Sequence, residues 1–389
     1  MESLTFSLIE IVLSAALGIF LIIQLVYYFC LYNKVHTLNK ATSNEQIGYA
    51  TEFPPLSVVI CARNESENLR QFLPGILEQD YPQFEVIVIN DGSTDESEDL
   101  LVELEEKYHH LYHTFTPESA RYISRKKLAL TVGIKASKYD WLVFTDADCR
   151  PASKDWLKLM ARNFTPRTEI VLGYSGYERT KGWLNFKASF DNLFSSIRYL
   201  GFAVIDKPYM GIGRNMAYRK DLFFKSRGFS AHLNLQRGDD DLFINEVATN
   251  INTRVETDPN AIVRMQPLDR YKTWKEEKLS YLATSQYFQG SQRHLLGFET
   301  TSRLFFHMLI IALLVISIIQ FHWLAMGVTL LAWIIRYIIQ AVIINKTATE
   351  LGERHYYFSL PIFDILLPLD RLKFSMYRVF RGKGDFMRR

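Results

Sequence analysis

The chain has 389 residues, 48% of them hydrophobic, and a formal net charge of +3. That balance excludes a disordered chain and offers no strongly basic surface for nucleic acid. The three cysteines, Cys30, Cys61 and Cys149, have no zinc-site spacing and each sits in or beside an apolar run, so buried free thiols are expected.

Residues 4–31 are almost wholly apolar, with Glu10 and Gln24 the most polar members. A bilayer core of ~30 Å takes ~20 helical residues, so this run is long enough to cross it. It lacks the basic start of a secretory signal and exceeds a signal's apolar centre, which makes 1–33 an expected transmembrane anchor. Residues 34–54 then read as a linker.

The middle of the chain alternates strand and helix patterns. Compact apolar runs at 56–61, 85–90 and 141–145 predict buried strands, with a weaker one at 111–115. Helices are expected at about 66–79, 95–108 and 126–137. Strands alternating with helices imply a parallel sheet covered on both faces, and such sheets bind ligands at the carboxyl ends of their strands. Those ends are polar: Ala62-Arg63-Asn64-Glu65, Asn90-Asp91-Gly92-Ser93-Thr94-Asp95 and Asp146-Ala147-Asp148. The second alone reads equally as a turn and helix cap. The third places two carboxylates one residue apart, which repel unless a cation or hydrogen bonds offset them. A hard divalent ion is the natural partner.

Later, Phe186, Phe190, Phe194, Tyr199 and Phe202 recur at helical spacing, as a core stripe or as an apolar cradle for a lipid-linked acceptor. Two apolar runs, 304–320 and 323–345, read as a transmembrane hairpin within 293–345. Arg336 lies inside the second; being costly in lipid, it should face a partner helix or snorkel. The stretch 356–369 is apolar but interrupted by Pro361, Asp364 and Pro368, so it is expected to lie in the interface, a fourth span toward Phe380 being the alternative. Arg371, Lys373, Arg378, Arg381, Lys383, Arg388 and Arg389 make the tail basic, and the positive-inside rule puts it in the cytosol. Three spans then place 33–303 in the cytosol as well, and Lys34 and Lys40 agree.

As a set, Pro55-Leu-Ser-Val-Val-Ile-Cys-Ala-Arg-Asn-Glu65, the Asn90–Asp95 turn, Arg125-Lys-Lys-Leu-Ala-Leu130, Asp146-Ala-Asp148, Gly211-Ile-Gly-Arg-Asn-Met-Ala-Tyr218 and Gly238-Asp-Asp-Asp-Leu242 resemble family 2 glycosyltransferases. The resemblance covers roughly 55–292, and the membrane arrangement is similar to that of bacterial members. It implies an α/β fold of the GT-A type, a Rossmann-like nucleotide-binding sheet fused to an acceptor-binding half, with transmembrane helices added. By position it puts Ala62, Arg63 and Glu65 beside the base and ribose, Asp91 on the base, and Lys126, Asp146 and Ala147 near the nucleotide sugar. Asp148 becomes the direct ligand of Mg²⁺ or Mn²⁺, with Asp146 near the ribose or a metal-bound water. Asp240 becomes the base that takes the acceptor proton, with Asp239 its competitor; three adjacent carboxylates raise at least one pKa, which suits a base. Gly213, Arg214, Asn215 and Asp241 fall in the region of donor sugar and acceptor.

The expected activity is therefore inverting transfer from a nucleotide sugar, UDP-linked by default though GDP and dTDP fit, to a lipid-linked or glycan acceptor at a bacterial inner membrane. One departure bears on the product. The Gln-x-x-Arg-Trp motif of processive members is missing from 276–281, where Tyr281 stands near the place of Trp, so a single transfer is expected. The rival readings are a membrane-bound nucleotidyltransferase, which should show a glycine-rich phosphate loop, and an inactive scaffold, which should have lost its carboxylates.

Overall fold

The computed structural model describes residues 7–116 and 124–381. Lys383, Arg388 and Arg389 of the basic tail, and the first residues of the leading apolar run, lie outside them. The chain opens with α1 (Leu8–Tyr27) and α2 (Lys34–Ser43). A seven-stranded sheet follows, in the order β3-β2-β1-β4-β8-β6-β9. Its strands are β1 (Leu56–Ala62), β2 (Phe84–Asn90), β3 (Leu111–Phe115), β4 (Trp141–Phe144), β6 (Ile170–Leu172), β8 (Met216–Arg219) and β9 (Thr253–Val255). A smaller sheet joins β5 (Cys149–Pro151), β10 (Val263–Met265) and β7 (Ser175–Tyr177).

β3, β2, β1 and β4 run parallel, with Ala62 opposite Asn90 and Leu56 opposite Trp141. β8 is antiparallel to both β4 and β6. β1 and β2 are buried at nearly every residue because helices cover both faces, which is why they read as continuous apolar runs. The covering helices include α3 (Ser66–Leu77), α4 (Ser97–Lys107), α5 (Arg125–Ala136) and α6 (Trp156–Ala161). α5 lies so close to the sheet that a Cβ on Gly133 would sit 2.4 Å from Ile89 and 2.9 Å from Val59. The parallel strands thus bring the ends of β1, β2 and β4 to one edge.

The second half adds α7 (Trp183–Val204), α8 (Lys220–Lys225), α9 (Asp241–Val247) and α10 (Tyr271–Thr284). The aromatic stripe of α7 is core, not a lipid cradle. Phe190, Phe194, Tyr199 and Phe202 are all buried, with Phe190 stacked on Phe363 at 4.6 Å and Phe194 against Tyr32 at 5.2 Å.

α11 (Gln292–Ile319) and α12 (Trp323–Glu350) follow, and with the helical stretch Leu8–Ser43 they make three helices long and apolar enough to cross a membrane. Arg336 faces inward from α12: Nη1 donates to Asp364 Oδ2 at 2.5 Å and Nη2 to Gln24 Oε1 at 3.1 Å. Asp364 belongs to α13 (Leu360–Arg381), which runs unbroken through both prolines. Pro361 falls in the first turn, where a missing N–H costs nothing. The stretch after α1 also departs from the expected linker. α2 docks on the domain, with Val35 fully buried and both His36 and Asn39 bonded to Glu350. Cys149 is buried as expected and Cys61 partly so, but Cys30 is exposed, on the outer side of the apolar run.

Candidate active site

The loops after β1 and β2 are laced together. Asn64 takes a left-handed φ of 54°. Its N–H donates to Ser93 Oγ at 2.9 Å, and its Oδ1 accepts from Thr94 N–H at 2.8 Å. Asp95 accepts from Ser66 N–H at 3.0 Å and Ser97 N–H at 3.1 Å, so one carboxylate caps both α3 and α4. What burial it has raises its pKa, but these hydrogen bonds outweigh that and hold the carboxyl at about 2. The capping role in this turn therefore belongs to Asp95. Asp91 faces Arg125 instead, whose Nε lies 3.1 Å from Oδ1 and 3.2 Å from Oδ2, and Thr116 donates to Oδ1 at 2.7 Å. Gly92 is required here: φ is +69°, and a Cβ would stand 2.7 Å from the Arg125 guanidinium.

The basic start of α5 resolves into three separate contacts. Arg125 holds Asp91. Lys126 Nζ lies 3.2 Å from Asp146 Oδ1 and 3.4 Å from Asp239 Oδ2. Lys127 is buried and donates to the carbonyls of His232 at 2.6 Å and Leu235 at 3.1 Å, burial lowering its amine to about 8. A small cavity lies beside Lys126, lined by Cys61, Asp146, Gly213, Tyr218 and Asp239.

Asp146 and Asp148 differ in electrostatics. Burial raises Asp146, but Lys126 and Arg214 outweigh it and hold the carboxyl down. Arg214 Nε lies 3.5 Å from Asp146 Oδ2, and its Nη2 donates to Glu277 Oε1 at 2.7 Å. Tyr177 in turn donates to Glu277 Oε2 at 2.9 Å. Asp148 is raised, by burial and by Asp146, and its carboxylate accepts from the Cys149 thiol at 3.2 Å. Glu65 is raised by burial, with Asp148 and Asp146 adding to it. The donor atoms of Asp146, Asp148 and Cys149 lie within 4.8 Å of one another. Burial and the two carboxylates push the Cys149 thiol up, and it donates to Asp148; its soft sulfur also suits a hard cation less well than carboxylate oxygen does. The set suits a hard divalent cation, and Asp148, unlike Asp146, makes no ion pair with a Lys or Arg among the described residues.

The three adjacent aspartates point three ways. Asp239 faces Lys126. Asp240 caps α9, accepting from Gly213 N–H at 3.0 Å and Asp241 N–H at 2.8 Å, and is raised by burial and by Asp239. Asp241 turns away to Thr284 Oγ1 and to Leu242 N–H at 2.8 Å. Asn215 is committed elsewhere as well. Its Nδ2 donates to the carbonyls of Tyr174 and Ala261 at 2.8 and 2.9 Å, and its Oδ1 accepts from Trp156 Nε1 at 3.0 Å. Of the expected donor-sugar and acceptor residues, the structure brings Gly213 and Arg214 to the site and leaves Asn215 and Asp241 behind it. Ala62 is buried at its strand end and Arg63 stands exposed.

Residues 57–226 match the model described as glycosyl transferase family 2. The chain carries a family 2 glycosyltransferase domain. Over 132 residues it is 27% identical to a poly-beta-1,6-N-acetyl-D-glucosamine synthase of Staphylococcus epidermidis, covering 34% of this chain and 30% of the relative. It is 27% identical over 246 residues to the probable glycosyltransferase YdaM of Bacillus subtilis, covering 61% of this chain and 56% of that one. The match thus spans less than two thirds of either relative's length. The fold is that of a mannosyltransferase from Pyrobaculum calidifontis in complex with GDP-Man and Mn²⁺, at a TM-score of 0.55 and 18% identity, covering 89% of this chain and 99% of that one.

The family 2 match ends before the aspartates at 239–241, so the place of Asp239 beside Lys126 rests on geometry. Sequence reading missed Arg125, Glu277 and Tyr177. Arg125 is hidden by its basic neighbours, and Glu277 by its place in a stretch searched for a different motif. Tyr177 lies on a three-residue strand too short to carry a pattern.

Proposed function

We propose that the chain transfers a single sugar, with inversion, from a nucleotide sugar to a lipid-linked or glycan acceptor at a membrane, and that it needs a divalent cation. The observation that carries this reading is the convergence of Asp146, beyond β4, and Asp239, before α9, on Lys126, while the neighbouring Arg125 holds Asp91 at the end of β2. In this reading Asp91, held by Arg125, meets the nucleotide base, beside Ala62, Arg63 and Glu65. Asp148, with Asp146, would hold Mg²⁺ or Mn²⁺, which when bound offsets the charge of the diphosphate as the sugar–phosphate bond breaks.

The chain's own cations work on the same leaving group. Lys126 and Arg214 both reach Asp146, and Glu277 fixes the direction of Arg214. Asp240 takes the acceptor hydroxyl proton. Its carboxyl is raised by burial and by Asp239, while Asp239 itself is engaged by Lys126. UDP is the first donor to test and GDP the second. Transfer of one sugar per encounter follows from the missing Gln-x-x-Arg-Trp motif at 276–281. The three apolar helices would hold the domain on the cytosolic face, where the basic residues of α13 also lie.

Calorimetric titration of the purified chain with UDP- and GDP-sugars, each with and without Mn²⁺, tests the donor half. Cation-dependent binding of one donor supports the reading, and no binding by any of them overturns it. Sizing products on a defined acceptor tests single transfer, which a ladder of many added sugars on an acceptor that is never released would overturn.

A further inference from the structure

A groove of about 570 Å³ lies between α3 and the small sheet, apart from the cavity beside Lys126. Its walls are Gln71 and Phe72 of α3, Arg150 of β5, Glu178 just after β7, and Gln266 and Pro267 just after β10. That volume falls in the range of small-ligand clefts, about 300–1,000 Å³. The groove starts beside the candidate cation site. Gln266 N–H donates to the Asp148 carbonyl at 3.3 Å. Its Nε2 donates to Asn68 Oδ1, and Asn68 Nδ2 donates in turn to Glu65 Oε2. On the opposite wall, Glu178 follows Tyr177, the residue that holds Glu277.

The wall made by 265–268 is pinned on both sides. The Met265 carbonyl accepts from Glu178 N–H at 2.8 Å, and Leu268 N–H donates to the buried side chain of Asn185 at 3.2 Å. Pro267 fixes a further backbone angle between them. A groove held in this way is ready for a ligand before one arrives. Its chemistry then selects the ligand. Arg150 pairs with Glu178, so the only two charges in the lining cancel. The other four side chains are two amides, a phenyl ring and a proline ring. A phosphate or a nucleotide needs a cation that is not already spent on a carboxylate. A purely apolar ligand would strip water from the amides and the ion pair and give nothing back. A saccharide meets both demands. Each of its hydroxyls donates and accepts, as the Gln71 and Gln266 amides do, and its C–H faces can lie on the carbon of Phe72 and Pro267.

We propose that this groove binds an uncharged saccharide: the sugars of a glycan acceptor that lie beyond the one receiving transfer. The word acceptor rests on the sugar-transfer reading given above, whereas occupation of the groove is read directly, without turnover.

The full chain, in a detergent without a sugar headgroup, would be titrated with chitobiose, mannobiose and cellobiose, with and without UDP and Mn²⁺, and binding followed by saturation-transfer NMR. At least one of the three should bind saturably. Gln71 is exposed on α3, so its variants should fold. Gln71→Trp, which fills the groove, should abolish saccharide binding and leave UDP affinity unchanged. Gln71→Ala should weaken the saccharide about 2- to 10-fold, the worth of one neutral hydrogen bond, and serves alone should the larger side chain disturb the fold. Binding of UDP with none of the three saccharides overturns the proposal. So does a saccharide that binds Gln71→Trp as well as the parent, which would place it elsewhere, or one displaced by inorganic phosphate, which would mean an anion site. Saccharide binding that Gln71→Trp abolishes, in a chain that takes no UDP- or GDP-sugar, supports the groove and overturns the transfer reading instead.

Discussion

Lys126 Nζ lies 3.4 Å from Asp239 Oδ2, which joins the basic start of α5 to the acidic start of α9 across the candidate site. The same amine reaches Asp146 at 3.2 Å. Lys126→Met should leave these two acids facing each other and weaken binding of a nucleotide sugar by about 10- to 100-fold, the worth of a charge-assisted hydrogen bond. Calorimetry measures this. Unchanged affinity would confine Lys126 to a structural role.

Asp240→Asn should keep donor binding and lower the turnover rate by about 10²- to 10⁴-fold, the range for loss of a general base. Asp239→Asn should act differently, loosening Lys126 and so reducing donor affinity more than turnover. Steady-state kinetics on the two variants, with donor titrations, separate these outcomes; an Asp240→Asn enzyme with normal turnover would move the base elsewhere.

Asp95 supplies a test of pH. Its carboxyl falls from an ordinary 3.8 to about 2 in the folded chain. A lowered folded value means that the stabilisation is complete above the unfolded value and lost as pH falls through the folded one. Asp95→Ala removes two helix caps and should cost about 1–2 kcal/mol near neutral pH. The difference in melting temperature between variant and parent should hold from pH 8 to about 5 and shrink toward pH 2.

Arg336 and Asp364 should be worth more as a pair than either is alone. Arg336→Met leaves a buried carboxylate short of one cation and should cost about 3–5 kcal/mol, as should Asp364→Leu. The double variant should recover part of that loss. Thermal unfolding in detergent gives the three values, and additive losses would argue against direct coupling.

Legibility in the sequence followed how strongly each segment repeats a pattern. β1, β2 and β4 were readable because strands buried on both faces are continuous apolar runs. β5, β6, β7, β9 and β10 have only three residues each, too few for any period to show. α2 was read as a linker because its ten residues are mostly polar and only Val35 is buried. α13 was read as interrupted because Pro361 and Asp364 look like breaks, while in three dimensions one starts a helix and the other meets Arg336. Among the candidate residues, Asp91, Asp146 and Asp148 stand just beyond strand ends, which are local features, whereas Lys126 lies in the first turn of α5 and is singled out by the resemblance alone. Asn215 and Asp241 could not be told from site residues, since only the fold determines which way a side chain points.

The docking of α2 has a mechanical meaning. His36 and Asn39 hold Glu350 at the end of α12, and just beyond it Arg264 of β10 holds Glu353 at 2.5 Å. A head on a slack tether would wander over many heights. Here the stand-off between the acids around Lys126 and the apolar helices is a fixed length, built from side chains at both ends of the chain. In the proposed reaction that length would act as a ruler: an acceptor anchored at the level of those helices would itself have to be long enough to reach Asp240, and shorter acceptors would be excluded by geometry before chemistry begins.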